Sequence, residues 1–542
     1  MMKTAIPGQP AAVIRLSDFR GCDDTASFAL AMEYLRGHPG TTLLVEPGEY
    51  RITAALARET QRHVMNGDYG PNPQRTMFDP HFAYTRGISL HGQRDTRILA
   101  YGVTLMVDGF MEPISVTECE NVEICGLTID HLRKPYTRGV IAEIEELDER
   151  GAAELVIELD DPVTAQTPMA LRTVFYDPVN GRNLYAAVEP IRLDDAVHYR
   201  VRSPEASDLK VGMEFYTVHT FHFRPAVLIE NAKNVRLTDL TIHSQPGMGI
   251  VGNRSRDVTL TRLSVVPSCG HHWSTNTDAT HFTSMTGTLR LENCTFEGHG
   301  DDFVNVHGYF QQVIRRESPT VCWIQEKTPD GTHAQTLDYP DAGDLLELTD
   351  HATLQTSDTF RVLSTEPDPA RWMCRVTLDH PLPEQTDGWM LADVTRLPRV
   401  EIVGCHASAH FARSVLIKTR DALVEGNTFR DVQGPAIVAA AESWWYEGVC
   451  PAHVTIRGNR IVNCASRWGE AAGVVVKADS DHPLGQSIFD ITIEDNIIDA
   501  PHADTGIYCR NVSGLKLARN RVNVRSTPVE VEDCANVERD DL

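Results

Sequence analysis

A six-residue pattern recurs nine times along the chain: an apolar residue, two mostly polar ones, a small or branched one, then a polar and an apolar residue. The copies begin at Ile124, Leu237, Leu260, Leu291, Ile402, Val424, Ile456, Ile493 and Leu517. Their fourth positions read Leu127, Leu240, Leu263, Cys294, Cys405, Asn427, Asn459, Asn496 and Asn520, so like residues follow like. A parallel β-helix produces this ordering, because each coil lies about 4.8 Å above the last and identical side chains form ladders, with Asn amides bonding along the stack. Leucine-rich repeats are the main rival, but the spacings are irregular and the frame of that repeat is missing. The expected fold class is all-β, a right-handed parallel β-helix.

Successive copies start 113, 23, 31, 111, 22, 32, 37 and 24 residues apart. Values near 23 are single coils and values in the thirties are coils with a loop, while each large gap holds about 90 additional residues. Those gaps, 140–222 and 309–397, contain alternating segments such as "GVIAEIEEL", "ELVIELDD", "DTFRVLST" and "WMCRVTLDH", which read as two inserted small antiparallel β subdomains. Ahead of the coils, "DDTASFALAMEYLRGHPG" reads as an amphipathic helix starting at Asp24 or Thr25 and ending at Gly37, placed to cap the open end of the stack. The expected organisation is a cap with the first coils (1–139), an insertion (140–222), coils (223–308), a second insertion (309–397) and the last coils (398–542).

The formal net charge of −25 repels polyanions, so nucleic acid and anionic membrane surfaces are not expected partners. No apolar run approaches the roughly 18–20 residues that a membrane span needs. The start, "MMKTAIPGQPAAVIRLSDF", has no continuous apolar stretch and reads as cytoplasmic, or as secreted if a leader has been removed. The twelve cysteines form no C-x-x-C pairs and read as small buried hydrophobes.

The stretch "NCTFEGHGDDFVNVHG" places Asp301 and Asp302 side by side at the mouth of a strand, where alternation would send only one of them inward. Asp278 lies 23 residues earlier, one plain coil, and is therefore expected to stack beside that pair. Three carboxyls at one corner oppose each other's ionisation, so one pKa rises. A glycosidase uses this arrangement: one carboxyl stays protonated for the leaving oxygen while another, ionised, activates water or attacks carbon. Hard cations also gather carboxylates, and a polar turn can use them to cap backbone N–H groups. Acid–base chemistry is the lead reading, with neither metal nor cofactor.

The pattern resembles glycoside hydrolase family 28, the pectin hydrolases, in "NTD" (Asn276–Asp278), "DD" (Asp301–Asp302) and "VLIKT" (Val415–Thr419). Where that family has an Arg-Ile-Lys that binds a uronate, this chain has Leu416 and keeps only Lys418. It is similar over almost its whole length to glycoside hydrolase family 110, the exo-acting α-1,3-galactosidases, in "RPAVLIENAKNVRLTDLTIHSQPGMG" (Arg224–Gly249), "GHGDDFVNVHG" (Gly298–Gly308) and "ESWWYEG" (Glu442–Gly448). That resemblance implies release of a terminal α-1,3-linked galactose, on blood group B type or linear glycans. It implies inversion, with Asp301 as general acid and Asp278 and Asp302 holding the attacking water.

Trp444 and Trp445 suit the apolar face of galactose, and Glu442, Glu447, His299 and His307 are candidate partners for its hydroxyls. Asn305, Lys418 and Arg224 complete the expected substrate-binding set, and His271 and His272 are expected at the rim. The partner is an oligosaccharide or glycoconjugate with terminal α-galactose, and a homodimer is the assembly considered. A pectin-type hydrolase and a noncatalytic carbohydrate-binding β-helix are the alternatives.

Overall fold

A computed structural model describes residues 12–540 apart from 78, 80, 170, 326–337, 466–470 and 472. The first eleven residues, on which the reading of the amino terminus rests, lie outside it. Strands are stacked in parallel on three faces of a β-helix. The nine pattern copies form one unbroken column, each first residue paired with the next from Ile124 through Leu237, Leu260, Leu291, Ile402, Val424, Ile456 and Ile493 to Leu517. Below Ile124 the column continues through Ile98 to Leu43, in coils whose sequence lacks the pattern.

The third position of every copy explains the pattern. Gly126, Asp239, Arg262, Asn293, Gly404, Gly426, Gly458, Asp495 and Arg519 all have φ between 50° and 78°, the left-handed region. This bend joins two strands at a corner and turns the fourth side chain into the core; four of the nine are glycine, which adopts that conformation at no steric cost. On the inside, Asn427 donates to Asn459 (3.0 Å), Asn459 to Asn496 (2.9 Å) and Asn496 to Asn520 (2.9 Å), all buried. Each Oδ1 also accepts the backbone N–H of the asparagine before it, as in Asn427 N to Asn459 Oδ1 at 3.0 Å.

The helix Asp24–Gly37 starts one residue after Asp23, whose carboxylate accepts the Ala26 N–H at 2.8 Å. It buries Phe28, Ala31, Met32 and Leu35 against the first coils and so closes that end. A second helix, Ala55–Met65, has no counterpart in the sequence reading, because only Ala57, Thr60 and Val64 of its residues are buried and they make a thin apolar stripe.

Two antiparallel units leave the helix. The first is a seven-stranded sheet in the order Arg182–Leu184, Thr173–Asp177, Glu214–Val218, Tyr136–Ile144, Ala153–Leu159, His198–Ser203 and Glu189–Leu193. Its own core includes Ile141, Leu155, Ile157, Phe175, Val201 and Phe215. In the second, Val304–Ser318, Val321–Gln325, Met373–Leu378, Thr356–Asp368, Leu345–Asp350 and Trp389–Asp393 pair in that sequence and return to Val304–Ser318, closing a small barrel. Leu346, Leu348, Cys374, Val376 and Leu378 alternate into its centre.

The asparagine ladder yields a stability prediction. Asn459→Ala removes four hydrogen bonds made by that side chain, among them the acceptor of the buried Asn427 N–H, so it should lower the unfolding free energy by about 2–4 kcal/mol in urea titration. Asn523→Ala, on an exposed hydrogen bond to Asp499, should stay within about 0.5 kcal/mol of the parent.

Candidate active site

Register decides which acids meet. Thr280 pairs with Val304 and Val304 with Val415, and the Ala279 and Phe303 N–H groups donate to the carbonyls of Asp302 and Arg413 at 2.9 and 3.2 Å. Met248, Asp278, Asp302 and Arg413 therefore form one column over four coils. The coil from Asp278 spans 24 residues, so Asp302, and not Asp301, stands directly above Asp278; a one-residue offset moves a side chain to the other face. Asp301 comes from the bend just before, whose backbone is held by the Nδ1–H of His299 donating to the Asp301 carbonyl at 2.8 Å. From there its carboxyl still reaches the other two: one oxygen from each of the three lies within 4.8 Å of the others.

Each carboxyl has a cationic or imidazole partner from a different part of the chain. Asp302 accepts from Arg413 through the backbone N–H (2.9 Å), Nε (3.3 Å) and Nη2 (3.2 Å). Asp301 Oδ2 lies 3.4 Å from Nη1 of Arg172, which the inserted sheet supplies. Asp278 Oδ2 is 2.6 Å from His281 Nδ1, and His281 Nε2 is 2.8 Å from His307 Nε2. The Gly308 carbonyl only accepts, so His307 carries its proton on Nδ1 (2.8 Å) and its Nε2 accepts from His281. His281 Nδ1 and Asp278 consequently share one proton.

Burial pushes the Asp301 carboxyl up to about 7, with Asp302 and Asp278 adding to the rise against Arg172. Burial opposes charge on His281, yet the hydrogen bond to Asp278 holds its pKa above the ordinary value. Burial lowers His307 to about 3, which keeps it neutral. Behind the acids, Lys418 is fully buried between Glu442, at 2.6 Å, and Glu447. Arg413 Nη1 also reaches Glu442 at 2.6 Å, and against burial the two cations keep Glu442 below its usual pKa.

These groups surround a pocket of about 340 Å³ with Phe221, Met248 and Trp445 as apolar wall, a size suited to a small ligand. Of the residues expected from sequence, Asp278, Asp301, Asp302, Asn305, Trp445 and Glu447 line it, with Lys418, Glu442 and His307 immediately behind. Trp444 is 55% exposed and outside the lining.

Two expectations are corrected. His299 is fully buried and stacked on His410 at 4.0 Å, so it braces the Asp301 bend and does not meet a sugar. Arg224 is buried against Glu112 (3.0 Å) and the Tyr84 ring (4.0 Å), away from the pocket. His272 is committed to Glu214 (3.1 Å) and stacks on Tyr176. Leu416 is buried among Val438, Ala440 and Val475 and leaves no anion clamp at that position.

Sequence reasoning missed Arg172, His281 and Arg413. Arg413 was within reach: the 111-residue spacing from Leu291 to Ile402 also carries Asp302 to Arg413. His281 follows from treating the strand after Asp278 as a column with Asn305. Arg172 has no such signal, since an inserted sheet delivers it from outside the repeat. The three carboxyls also have the donor set for a hard cation, although each already has a partner that meets its charge.

No family model matches the chain. It is similar to alpha-1,3-galactosidase B of Bacteroides thetaiotaomicron, 22% identical over 563 residues that cover 95% of this chain and 86% of that protein. It is similar to alpha-1,3-galactosidase A of Bacteroides fragilis, 25% identical over 473 residues covering 82% and 76%. Among solved structures, the A-module of a mannuronan C-5 epimerase of Azotobacter vinelandii is similar at 11% identity and a TM-score of 0.41, over 97% of this chain and 100% of that one.

The Asp301 shift has a consequence for stability. A carboxyl near 7 in the folded chain and about 4 in the unfolded one keeps a proton that the unfolded chain releases. Its contribution is full below pH 4 and is lost as pH rises through 7. Relative to Asp301→Asn, the parent's thermal midpoint should fall between pH 5 and pH 8; parallel profiles would remove the shift.

Proposed function

We propose that the protein is an exo-acting glycoside hydrolase that releases terminal α-1,3-linked galactose from glycans. The observation that carries this reading is the convergence of Asp278, Asp301 and Asp302, one oxygen of each within 4.8 Å of the others, on a pocket of small-ligand size, where burial raises the Asp301 carboxyl. The relatives named alpha-1,3-galactosidase, at 22% and 25% identity over most of the chain, supply the sugar and the linkage.

Protonated Asp301 donates to the glycosidic oxygen as the bond to the anomeric carbon breaks. Asp302, with both oxygens on Arg413, anchors the water; Asp278, with one oxygen on His281, takes its proton as it attacks. Trp445 offers an apolar face to the ring, while Asn305 and Glu447 are placed for its hydroxyls. Blood group B type and linear chains both fall within this proposal.

Four carboxyls (Asp278, Asp301, Asp302 and Glu447) line the pocket against two guanidinium groups, each paired, which disfavours a uronate and hence a pectin-type substrate. A purely binding β-helix gains nothing from a carboxyl held protonated at a cost in stability.

One observation favours a second reading of the stereochemistry. Inverting carboxyl pairs generally stand about 6.5–9.5 Å apart and retaining pairs about 5–5.5 Å, and here the nearest oxygens lie within 4.8 Å. Proton NMR of the first-formed sugar separates the two: β-galactose means inversion and α-galactose means retention through a carboxylate nucleophile. Asp301→Asn should lose about 10²–10⁴-fold in kcat/KM on an α-1,3-galactobioside and under about 10-fold on an aryl α-galactoside with a good leaving group. Equal losses on both would remove Asp301 from the acid role, and an inactive parent would remove the proposal.

A further inference from the structure

Arg172 is the cation at the site that the inserted sheet supplies. It immediately precedes the strand Thr173–Asp177 of the inserted sheet, and the Val218 N–H donates to its carbonyl at 3.3 Å, which fixes its backbone to that sheet. Its guanidinium is flanked by two rings, with Cζ 3.9 Å from the centroid of Phe221 and 4.8 Å from that of Phe411. Phe411 is wedged in turn by Tyr185 of the inserted sheet at 4.2 Å and by Trp273 at 5.8 Å. This clamp holds the guanidinium in the pocket lining without using its hydrogen bonds. Arg413 spends its donors on Asp302 and Glu442, whereas Arg172, among the described residues, makes one side-chain hydrogen bond, to Asp301 at 3.4 Å. A guanidinium has five N–H donors, so donors remain beside the Asp301 carboxyl.

We propose that Arg172 is the positioning and specificity residue of the leaving-group side: it orients Asp301 and hydrogen-bonds hydroxyls of the sugar to which the departing galactose is joined. The inference rests on the α-galactosidase reading and adds the subsite next to the scissile bond. Asp301 stands at the glycosidic oxygen in that reading, so a donor on Asp301 Oδ2 is adjacent to the leaving sugar by construction. The fork geometry suits a pair of neighbouring hydroxyls, which a point charge does not match. The charged groups around Asp301 are Arg172 from the sheet, Asp278 from the coil below, Asp302 beside it and Arg413 from the coil above; His281, His222 and Glu447 complete the titratable lining. Of these, Arg172 is the cation in direct contact with Asp301.

The experiment compares the parent, Arg172→Met and Arg172→Lys on an α-1,3-galactobioside, which has a leaving sugar, and on an aryl α-galactoside, which has none. Arg172→Met should raise KM for the disaccharide tenfold or more and for the aryl substrate less than threefold. The alkaline limb of its kcat/KM profile on the disaccharide, where protonation by Asp301 matters most, should move to higher pH by at least half a unit, because Asp301 loses a cation that favours its ionisation. Arg172→Lys should return the limb toward the parent and leave the disaccharide KM high. Disaccharide KM and limb both at parent values in Arg172→Met, or equal KM increases on both substrates, would overturn the role. If Arg172→Met does not fold, Arg172→Lys decides alone by its disaccharide KM. A parent without α-galactosidase activity would bring down the underlying reading and this inference with it, an outcome distinct from an active parent indifferent to Arg172.

Discussion

The in-register stacking of one coil on the next is the constraint from which the rest of the structure follows. Each rung satisfies the backbone of its neighbours, so a strand cannot slip without turning every core residue outward. The left-handed corner at the third pattern position holds that register by turning the chain at the same place in each of the nine pattern coils. Once the corners coincide, residues far apart in sequence become neighbours by fixed arithmetic, and Met248, Asp278, Asp302 and Arg413 assemble into a column without any long-range loop to position them.

The site exploits this column and also departs from it. Stacked carboxylates repel, and the molecule answers with a separate partner for each: Arg413 from the next coil, His281 from the following strand and Arg172 from the inserted sheet. These partners differ in strength. Asp302 is held by three donors, Asp278 shares a proton with His281, and Asp301 receives one long hydrogen bond. Three chemically identical side chains, within 4.8 Å of one another, thus sit in three different hydrogen-bonding environments, and burial, with the weakest partner beside it, raises Asp301.

Much of this was legible in the sequence because a repeat leaves a periodic trace. The nine pattern copies, the asparagine ladder and the membership of Asp278, Asp301 and Asp302 all follow from spacing. Spacing fails at the scale of one residue: a loop-lengthened coil hid whether Asp301 or Asp302 stood above Asp278. The coils through Leu43 and Ile98 fall within the expected first coils of 1–139 but had no register assigned, because they carry strand-like sequence without the pattern. His299 looked like a sugar ligand because it flanks the acid pair, and its burial under His410 depends on a coil 111 residues away. Arg172 belongs to a sheet whose docking on the helix is set by aromatic packing, for which a sequence has no ruler.

The strand Val304–Ser318 begins as a rung of the helix, pairing with Thr280–Thr283 on one side and Val415–Lys418 on the other, and ends as a stave of the barrel. It carries Asn305 and His307 in its first half. The barrel is therefore no pendant that could be cut off at a flexible joint, since severing it means cutting a continuous strand just past the histidine that sets the tautomer at Asp278. For exchange of parts between related chains, the unit that can travel intact is the barrel together with its rung.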